Sequence, residues 1–470
     1  MFELDFAYSA LLVICLVAAC GFEFVNGFHD TANAVATVIY TNSLKPWVAV
    51  IWSGFFNFLG VLLGGIGVAV GIVNLLPVET LVDQDIAHSI SMVMALLITA
   101  IFWNLLTWFF GIPCSSSHTL IGSILGVGLA YSLLPESASE AVNWGKAQEI
   151  GLSLLVSPLF GFSMTIVLMY FLRSLTRKTA YGDSLFKEPK KNQPPPAWIR
   201  GVLIVTCTLV SFFHGQNDGQ KGVGLVMLIL IGIVPVYFAL DRNFEPAPLP
   251  QSLTRIEQVV STIDPMSLSA PDREKLAATK LMTSRLQQRF AGLDDIGDIP
   301  RNERFLVRRD IMVMDRDLGD IAKKDEVKLS ERDKQTLKHE LKEVRKVTDY
   351  SPRWVILMIS LSLGLGTMIG WKRIVKTVGE KIGKEHLTYA QGASAELVAA
   401  STIGMSSYFG LPVSTTHVLS SGIAGSMVAS KGVKNLQHDT VRNILMAWFL
   451  TLPVVMIMAG TLFLLFRAVF

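Results

Sequence analysis

Charge is scarce in this chain. Only 17% of its 470 residues are Asp, Glu, Lys or Arg, against about 25% in ordinary soluble domains. Cysteine is scarcer still. Cys15, Cys20, Cys114 and Cys207 all lie in or at the edge of apolar segments, so they read as small core residues and not as a disulfide framework or a zinc site. No Gly-x4-Gly-Lys-Ser/Thr run occurs, which argues against a nucleotide-driven pump. There is no Ser/His/Asp arrangement on a soluble domain, and neither an enzyme nor a cofactor is expected. Met1-Phe-Glu-Leu-Asp is acidic and no small-residue cleavage site follows, so no cleavable leader is expected. Nothing indicates a nucleic-acid partner. The glycines at Gly60, Gly64, Gly65 and Gly67 read as close helix packing, not as a phosphate loop.

Apolar residues fill the space that charge leaves. They make up 51% of the chain, and the mean hydropathy is +0.46. Several stretches reach the roughly 20 residues that cross a bilayer as a helix. The fold class is therefore an all-α polytopic membrane protein, with the lipid bilayer as its solvent. Ten crossings are expected: 7–40, 45–72, 89–110, 115–134, 150–172, 200–239, 352–371, 388–409, 414–430 and 441–467. The first and sixth are expected to be broken helices.

The short loops orient these spans. Loop 173–200 has seven Lys/Arg against two acids, loop 372–387 five against two, and 431–442 three against one. Loop 73–88 has three acids and no Lys/Arg; loop 135–149 has three acids and one Lys. Positive loops stay in the cytoplasm, which puts the first three inside and the other two outside, with both termini in the periplasm.

Two pairs of motifs repeat. Gly-Phe-His-Asp-Thr-Ala-Asn-Ala at 27–34 aligns with Gly-Gln-Asn-Asp-Gly-Gln-Lys-Gly at 215–222. Gly-Ile-Pro-Cys-Ser-Ser-Ser-His at 111–118 matches Gly-Leu-Pro-Val-Ser-Thr-Thr-His at 410–417. The motif spacing is 88 residues in the first copy and 199 in the second, and the excess matches a polar stretch at 240–350. Five spans per copy is an odd number, so the copies face opposite ways: an inverted repeat of 5+5 spans with broken helices at the motifs. The organisation is then 1–172 as first repeat, 173–199 as cytoplasmic linker, and 200–239 with 351–470 as second repeat. The 240–350 stretch holds 21 basic and 21 acidic residues. It reads as a small soluble helical insert on the periplasmic side. It is either an inert appendage or a partner-binding domain.

Few ionisable residues lie away from loops and span ends: Glu23, His29, Asp30, His118, His214, Asp218, Lys221, Glu396 and His417. A carboxylate at bilayer depth costs about 2.5 kcal/mol or more, so Asp30 and Asp218 mark a site. Glycine and proline in the second motif pair break one helix, and the hydroxyls of Ser115, Ser116 and Ser117, or of Ser414, Thr415 and Thr416, open the next. A helix start offers free N–H groups and a positive dipole end, suited to an oxyanion. The carboxylates cannot attract an anion; they suit a cation or proton travelling with it, or pairing with Lys221, which stands where the first copy has Asn33. Asp30 and Asp218 are the candidates for any metal. Glu23 lies one turn before the first motif and reads equally well as a polar residue facing other helices. Glu396 is the better coupling candidate, and Asn57 and Asn104 suit hydrogen bonds between helices. Candidates for the coupled ion are Asp30, His29, His118, Asp218, Glu396 and His417.

Taken in order, these motifs resemble those of the inorganic phosphate transporter (PiT) family, over both halves of the chain and apart from the insert. Ala-Glu-Leu at 395–397 and the run from Trp371 to Ile382 also fit. The variant Gly-Phe-His-Asp-Thr-Ala-Asn-Ala is similar to the bacterial low-affinity Pit branch. The resemblance implies a homodimeric phosphate symporter of the bacterial inner membrane. It implies phosphate contacts at Asp30, Asn33, Ser115–Ser117, Asn217, Asp218, Lys221 and Ser414–Thr416. Sodium-coupled members carry Asn at the position of Lys221 and Glu at that of Asn57. Both departures remove oxygen ligands that sodium would use, so protons are the expected coupling ion, with phosphate carried alone or as a neutral divalent-metal complex. The alternatives are a sodium-coupled phosphate or sulfate carrier, and a membrane receptor whose 240–350 domain binds a partner.

Overall fold

A computed structural model describes residues 4–76, 86–135, 142–177, 179–190 and 193–469. The acids Glu79, Asp83, Asp85, Glu136 and Glu140 of the expected outer loops, and Lys178 and Lys191 of the linker, lie outside them. Among the described residues the fold is all-helical, with one isolated β-bridge between Gly383 and Leu436. The described residues divide into two compact units, one of Leu230–Tyr350 and one holding most of the remainder.

The larger unit repeats a set of helices in the same order. The first set is α1 (Phe6–Tyr40), α2 (Pro46–Leu63), α3 (Gly67–Val73), α4 (Ile86–Phe109), α5 (Ser116–Ser132) and α6 (Trp144–Thr176). The second begins with α7 (Ala197–Ile233) and resumes after the insert. Its later members are α12 (Arg353–Thr367), α13 (Lys372–Glu380), α14 (Tyr389–Tyr408), α15 (Thr415–Lys431) and α16 (His438–Val469). Lengths recur with order: 35 and 37 residues for α1 and α7, 17 for both α5 and α15, 33 and 32 for α6 and α16. Both α6 and α16 carry an internal proline, Pro158 and Pro453.

Helices occupy all ten expected spans. Six of them (α1, α2, α4, α6, α7 and α16) are long and apolar enough to cross a bilayer, and α12 with α13 makes a seventh bent by 65°. The other three, α5, α14 and α15, are rich in Ser, Thr and Gly and are largely buried. Their surroundings are protein, which relaxes the demand for apolar side chains. Large apolar side chains such as Val17, Leu155, Phe171, Phe449 and Ile457 stay exposed on the longest helices, as a lipid-facing surface requires. Inside, Val35, Val38, Leu203, Ile403, Val418 and Leu419 belong to one packed cluster.

The structure corrects the expectation of broken helices at the Asp motifs. Helix α1 runs unbroken through 27–34 and α7 through 215–222. The break in the 200–239 segment falls instead at Val234, just before Pro235, whose ring lacks the N–H a helix needs. The motif glycines serve close packing: a Cβ on Gly27 would lie 2.5 Å from the Leu363 carbonyl oxygen and 2.8 Å from the Thr367 nitrogen of α12. The breaks at the hydroxyl motifs are present. Gly111 and Gly410 sit at φ 67° and 69°, the left-handed region that favours glycine, and close α4 and α14.

The smaller unit holds α8 (Leu249–Ser261), α9 (Ala270–Phe290), α10 (Arg301–Ile321) and α11 (Glu331–Arg345). Apolar residues recur at helical spacing, as in Leu337, Leu341 and Val344, and these join Leu253, Ile256, Leu286, Ile311 and Leu318 in a separate core. Ser269 and Ser330 cap α9 and α11 by accepting the amides of Asp272 and Asp333. The buried Arg308 ties the two chain ends together: one guanidinium nitrogen donates to the Ala239 carbonyl at 3.0 Å and to that of Thr348 at 2.9 Å. Hydrogen bonds to a charged group are worth about 1.5–3 kcal/mol. Arg308→Met in an isolated 235–350 fragment is expected to lower its unfolding free energy by about that amount, read from urea denaturation followed by circular dichroism.

A buried charged centre where four helices meet

Asp30 on α1 and Asp218 on α7 come together with the starts of α5 and α15. The mechanism of assembly is local. Ser115 and Ser414 each take an extended conformation and accept the amide three residues on, from His118 and His417, both at 3.2 Å. They are helix caps, and Ser115 Oγ also lies 2.8 Å from His118 Nδ1. Capping turns the next two hydroxyls of each helix inward.

Ser116 Oγ lies 3.0 Å from Asp30 Oδ2 and 3.3 Å from Asp218 Oδ2, so one hydroxyl hydrogen faces two carboxylates. Thr416 donates to Asp30 Oδ1 at 2.6 Å and accepts from the Asn33 amide at 3.0 Å. Lys221 Nζ donates to Asp218 Oδ1 at 2.7 Å, to the Val413 carbonyl at 3.0 Å, and to Ser117 Oγ. His29 Nδ1 is 3.1 Å from Asp30 Oδ1, and its Nε2 is 3.1 Å from Thr107 Oγ1. Asp30, Asn33, Ser116, Ser117, Asp218, Lys221, Thr415 and Thr416 are all buried. Asn33 Oδ1 and Thr415 Oγ1 have no hydrogen-bond partner among the described residues.

Some expected members are elsewhere. Asn217 turns to the turn before α15, donating to Ser407 Oγ at 3.0 Å and the Leu411 carbonyl at 3.1 Å and accepting the Val413 amide at 3.1 Å. It positions the turn that carries the Val413 carbonyl. Glu396 accepts from Thr206 at 2.5 Å, on a different part of α7. His118 and His417 pair behind the caps with ring centroids 4.6 Å apart, and His417 stacks on Trp448 at 3.9 Å.

One residue that joins the centre was not among the expected site residues. His214 Nε2 lies 3.8 Å from Asp30 Oδ2 and 3.6 Å from Asp218 Oδ2, while its Nδ1 meets Asn57 Oδ1 at 2.8 Å. Its spacing was the available signal: four residues before Asp218 and seven before Lys221, one face of a helix. One ligand atom each of Asp30, His214 and Asp218 lie within 4.8 Å of one another, a set that can hold a metal ion.

Apolar helices around a fully buried, charged and hydroxyl-rich centre define a multi-span membrane transporter. A sequence model for the phosphate transporter family matches residues 26–459. The chain is 40% identical to the low-affinity inorganic phosphate transporter PitB of Escherichia coli K12, covering 98% of this chain and 97% of that one. It is 29% identical to a probable low-affinity inorganic phosphate transporter of Bacillus subtilis strain 168, covering 95% and 93%. A solved structure of "the sodium-dependent phosphate transporter" superposes with a TM-score of 0.56 at 20% identity, over 98% of this chain and 100% of that one, a likeness of fold. The chain belongs to the phosphate transporter family. Phosphate is the transported substrate of that family, and its bacterial members accord with the inner membrane.

The two roles of the hydroxyls separate by substitution. Ser116→Ala and Thr416→Ala each remove a hydrogen bond to Asp30, worth about 0.5–3 kcal/mol, and are expected to raise the KM for labelled-phosphate uptake. Ser115→Ala is expected to cost about 1 kcal/mol of stability through its cap, seen as a lower unfolding temperature in detergent.

Proposed function

We propose that the protein is a proton-coupled phosphate symporter built as an inverted repeat, with phosphate bound between the starts of α5 and α15. One observation carries this reading. Asp30 and Asp218 face each other across Ser116, and Lys221 is the fixed positive charge beside them. Two carboxyl groups stand against one ammonium, so negative groups outnumber positive ones at the centre. Phosphate can enter only together with positive charge, and that requirement is symport.

Lys221 supports protons as the coupled ion. Its ammonium contacts Asp218 Oδ1, Ser117 Oγ and the Val413 carbonyl, three oxygens of the kind that ligate sodium. A fixed ammonium there replaces a bound cation and leaves protons to drive transport. A divalent cation carried with phosphate would sit among Asp30, His214 and Asp218. The test is uptake of labelled phosphate into liposomes holding the purified protein, with proton and sodium gradients imposed separately. Uptake on the proton gradient alone is expected; uptake that needs the sodium gradient overturns proton coupling.

The loop charges support an orientation with the 240–350 insert and both termini in the periplasm. A cysteine placed at the exposed Lys280 is expected to react with an impermeant thiol label added to whole cells with permeable outer membranes. Labelling only after lysis would reverse the orientation.

A further inference from the structure

One buried carboxyl beside the centre has no role in the account so far. Glu23 on α1 is fully buried. The Asn26 amide donates to its Oε2 at 3.2 Å, and its Oε1 has no hydrogen-bond partner among the described residues. It forms no ion pair among the described residues. Its space is cut for it by Gly222 of the second Asp motif: a Cβ there would lie 2.5 Å from Glu23 Oε1. Burial in apolar surroundings disfavours a charge on an acid, and a nearby cation opposes that penalty.

A cation follows on α7: Lys221 is the residue before Gly222. The groups that face Glu23 electrostatically are Asp30 and Cys20 on its own helix and Asp218 and Lys221 on α7. Glu23, Asn26, Asp30, Asn33 and Thr37 follow one another at intervals of three and four residues, a single polar stripe down α1. Glu23 therefore stands at one end of a stripe whose middle is the charged centre. The second copy has Ser211 at the matching place, where it donates to Ser53 at 2.9 Å. The acid is a feature of one repeat only. Glu396, another buried carboxyl that forms no ion pair among the described residues, accepts from Thr206 and is not grouped with Lys221.

Resting on the proton-symport reading above, we propose that Glu23 is the site that takes up and releases the transported proton. Phosphate that engages Lys221 draws the ammonium's charge away from Glu23 and adds negative charge nearby. Both changes favour the protonated acid. When phosphate leaves, the charge of Lys221 again offsets an ionised Glu23, and the proton leaves with it. Anion and proton thus bind together by the sign of the charges, a reciprocal coupling.

The experiment separates movement of phosphate from movement of protons. Liposomes with purified protein are assayed in two modes: exchange of external labelled phosphate against internal phosphate with no gradient, and net accumulation on an inward proton gradient. Glu23→Gln is expected to keep exchange and to lose accumulation to the level of protein-free liposomes. Glu23→Asp, which keeps an acid, is expected to retain both modes. Accumulation by Glu23→Gln at the level of the unsubstituted protein overturns the proposal. So does loss of both modes in a Glu23→Gln protein that elutes normally on size exclusion, because Glu23 would then belong to packing or to the phosphate centre. Failure of the symport reading is distinct: the unsubstituted protein would itself accumulate phosphate on a sodium gradient and not on a proton gradient.

Discussion

Lys221→Asn abolishes proton-driven accumulation of phosphate and lowers the stability of the protein: this is the largest effect expected of a single substitution. Lys221 holds Asp218, Ser117 and the Val413 carbonyl at once, with all four groups out of water. Removing one partner of a buried ion pair leaves the other uncompensated and costs about 3–5 kcal/mol. Asparagine can donate a hydrogen bond but carries no charge, so the two carboxylates repel phosphate unopposed. The shorter side chain also opens a gap lined by oxygens, which suits a small cation. Sodium at fixed pH and membrane potential is therefore expected to stimulate uptake in the variant and not in the parent. Thermal unfolding in detergent and labelled uptake in liposomes read the two effects. A variant that accumulates phosphate as well as its parent does would remove Lys221 from the coupling scheme.

Much of this centre could be read from residue order alone, and the parts that could not share a cause. Hydropathy placed helices at all ten segments, because a bilayer solvent demands apolar side chains over about 20 residues. The duplicated hydroxyl motifs announced two helix starts, since the prolines that follow Gly111 and Gly410 break the helix before them. Polar residues inside the Asp motifs suggested breaks that are absent. Asp30 and Asn33 find their partners on α5 and α15, across the protein, and so their own backbone stays helical. Partner choice across 386 residues of chain, as for Thr416 and Asp30, leaves no local trace. The division between Ser115 as cap and Ser116 as donor is likewise fixed by the direction each side chain takes in three dimensions. Asn217 was drawn into the site by its neighbour Asp218, but adjacent residues on a helix point about 100° apart, and it meets the 411–413 turn instead.

Gly366→Val is expected to eliminate transport without touching the centre, and it tests whether the crossing of α1 and α12 places Asp30. A side chain on Gly366 would overlap the Phe24 carbonyl oxygen, and one on Gly27 would meet Leu363 and Thr367. The two backbones are in contact. Thr31 reinforces the crossing by donating to the Thr367 carbonyl at 2.9 Å, and it is the residue after Asp30. Overpacking a tight interface costs about 1–3 kcal/mol or more, and backbone cannot yield as a side chain can. Helix α12 must move away, taking Thr367 and its partner Asn57, which positions His214, at 3.0 and 2.8 Å. A displacement of α1 at Thr31 then shifts Asp30 relative to Ser116 and Thr416. Gly21→Ala on the same helix is the control, because a Cβ there meets nothing within 4 Å. It is expected to leave uptake intact and to add up to about 1 kcal/mol of helix stability. Wild-type uptake by a well-folded Gly366→Val protein would mean that the crossing can be loosened with no effect on the charged centre.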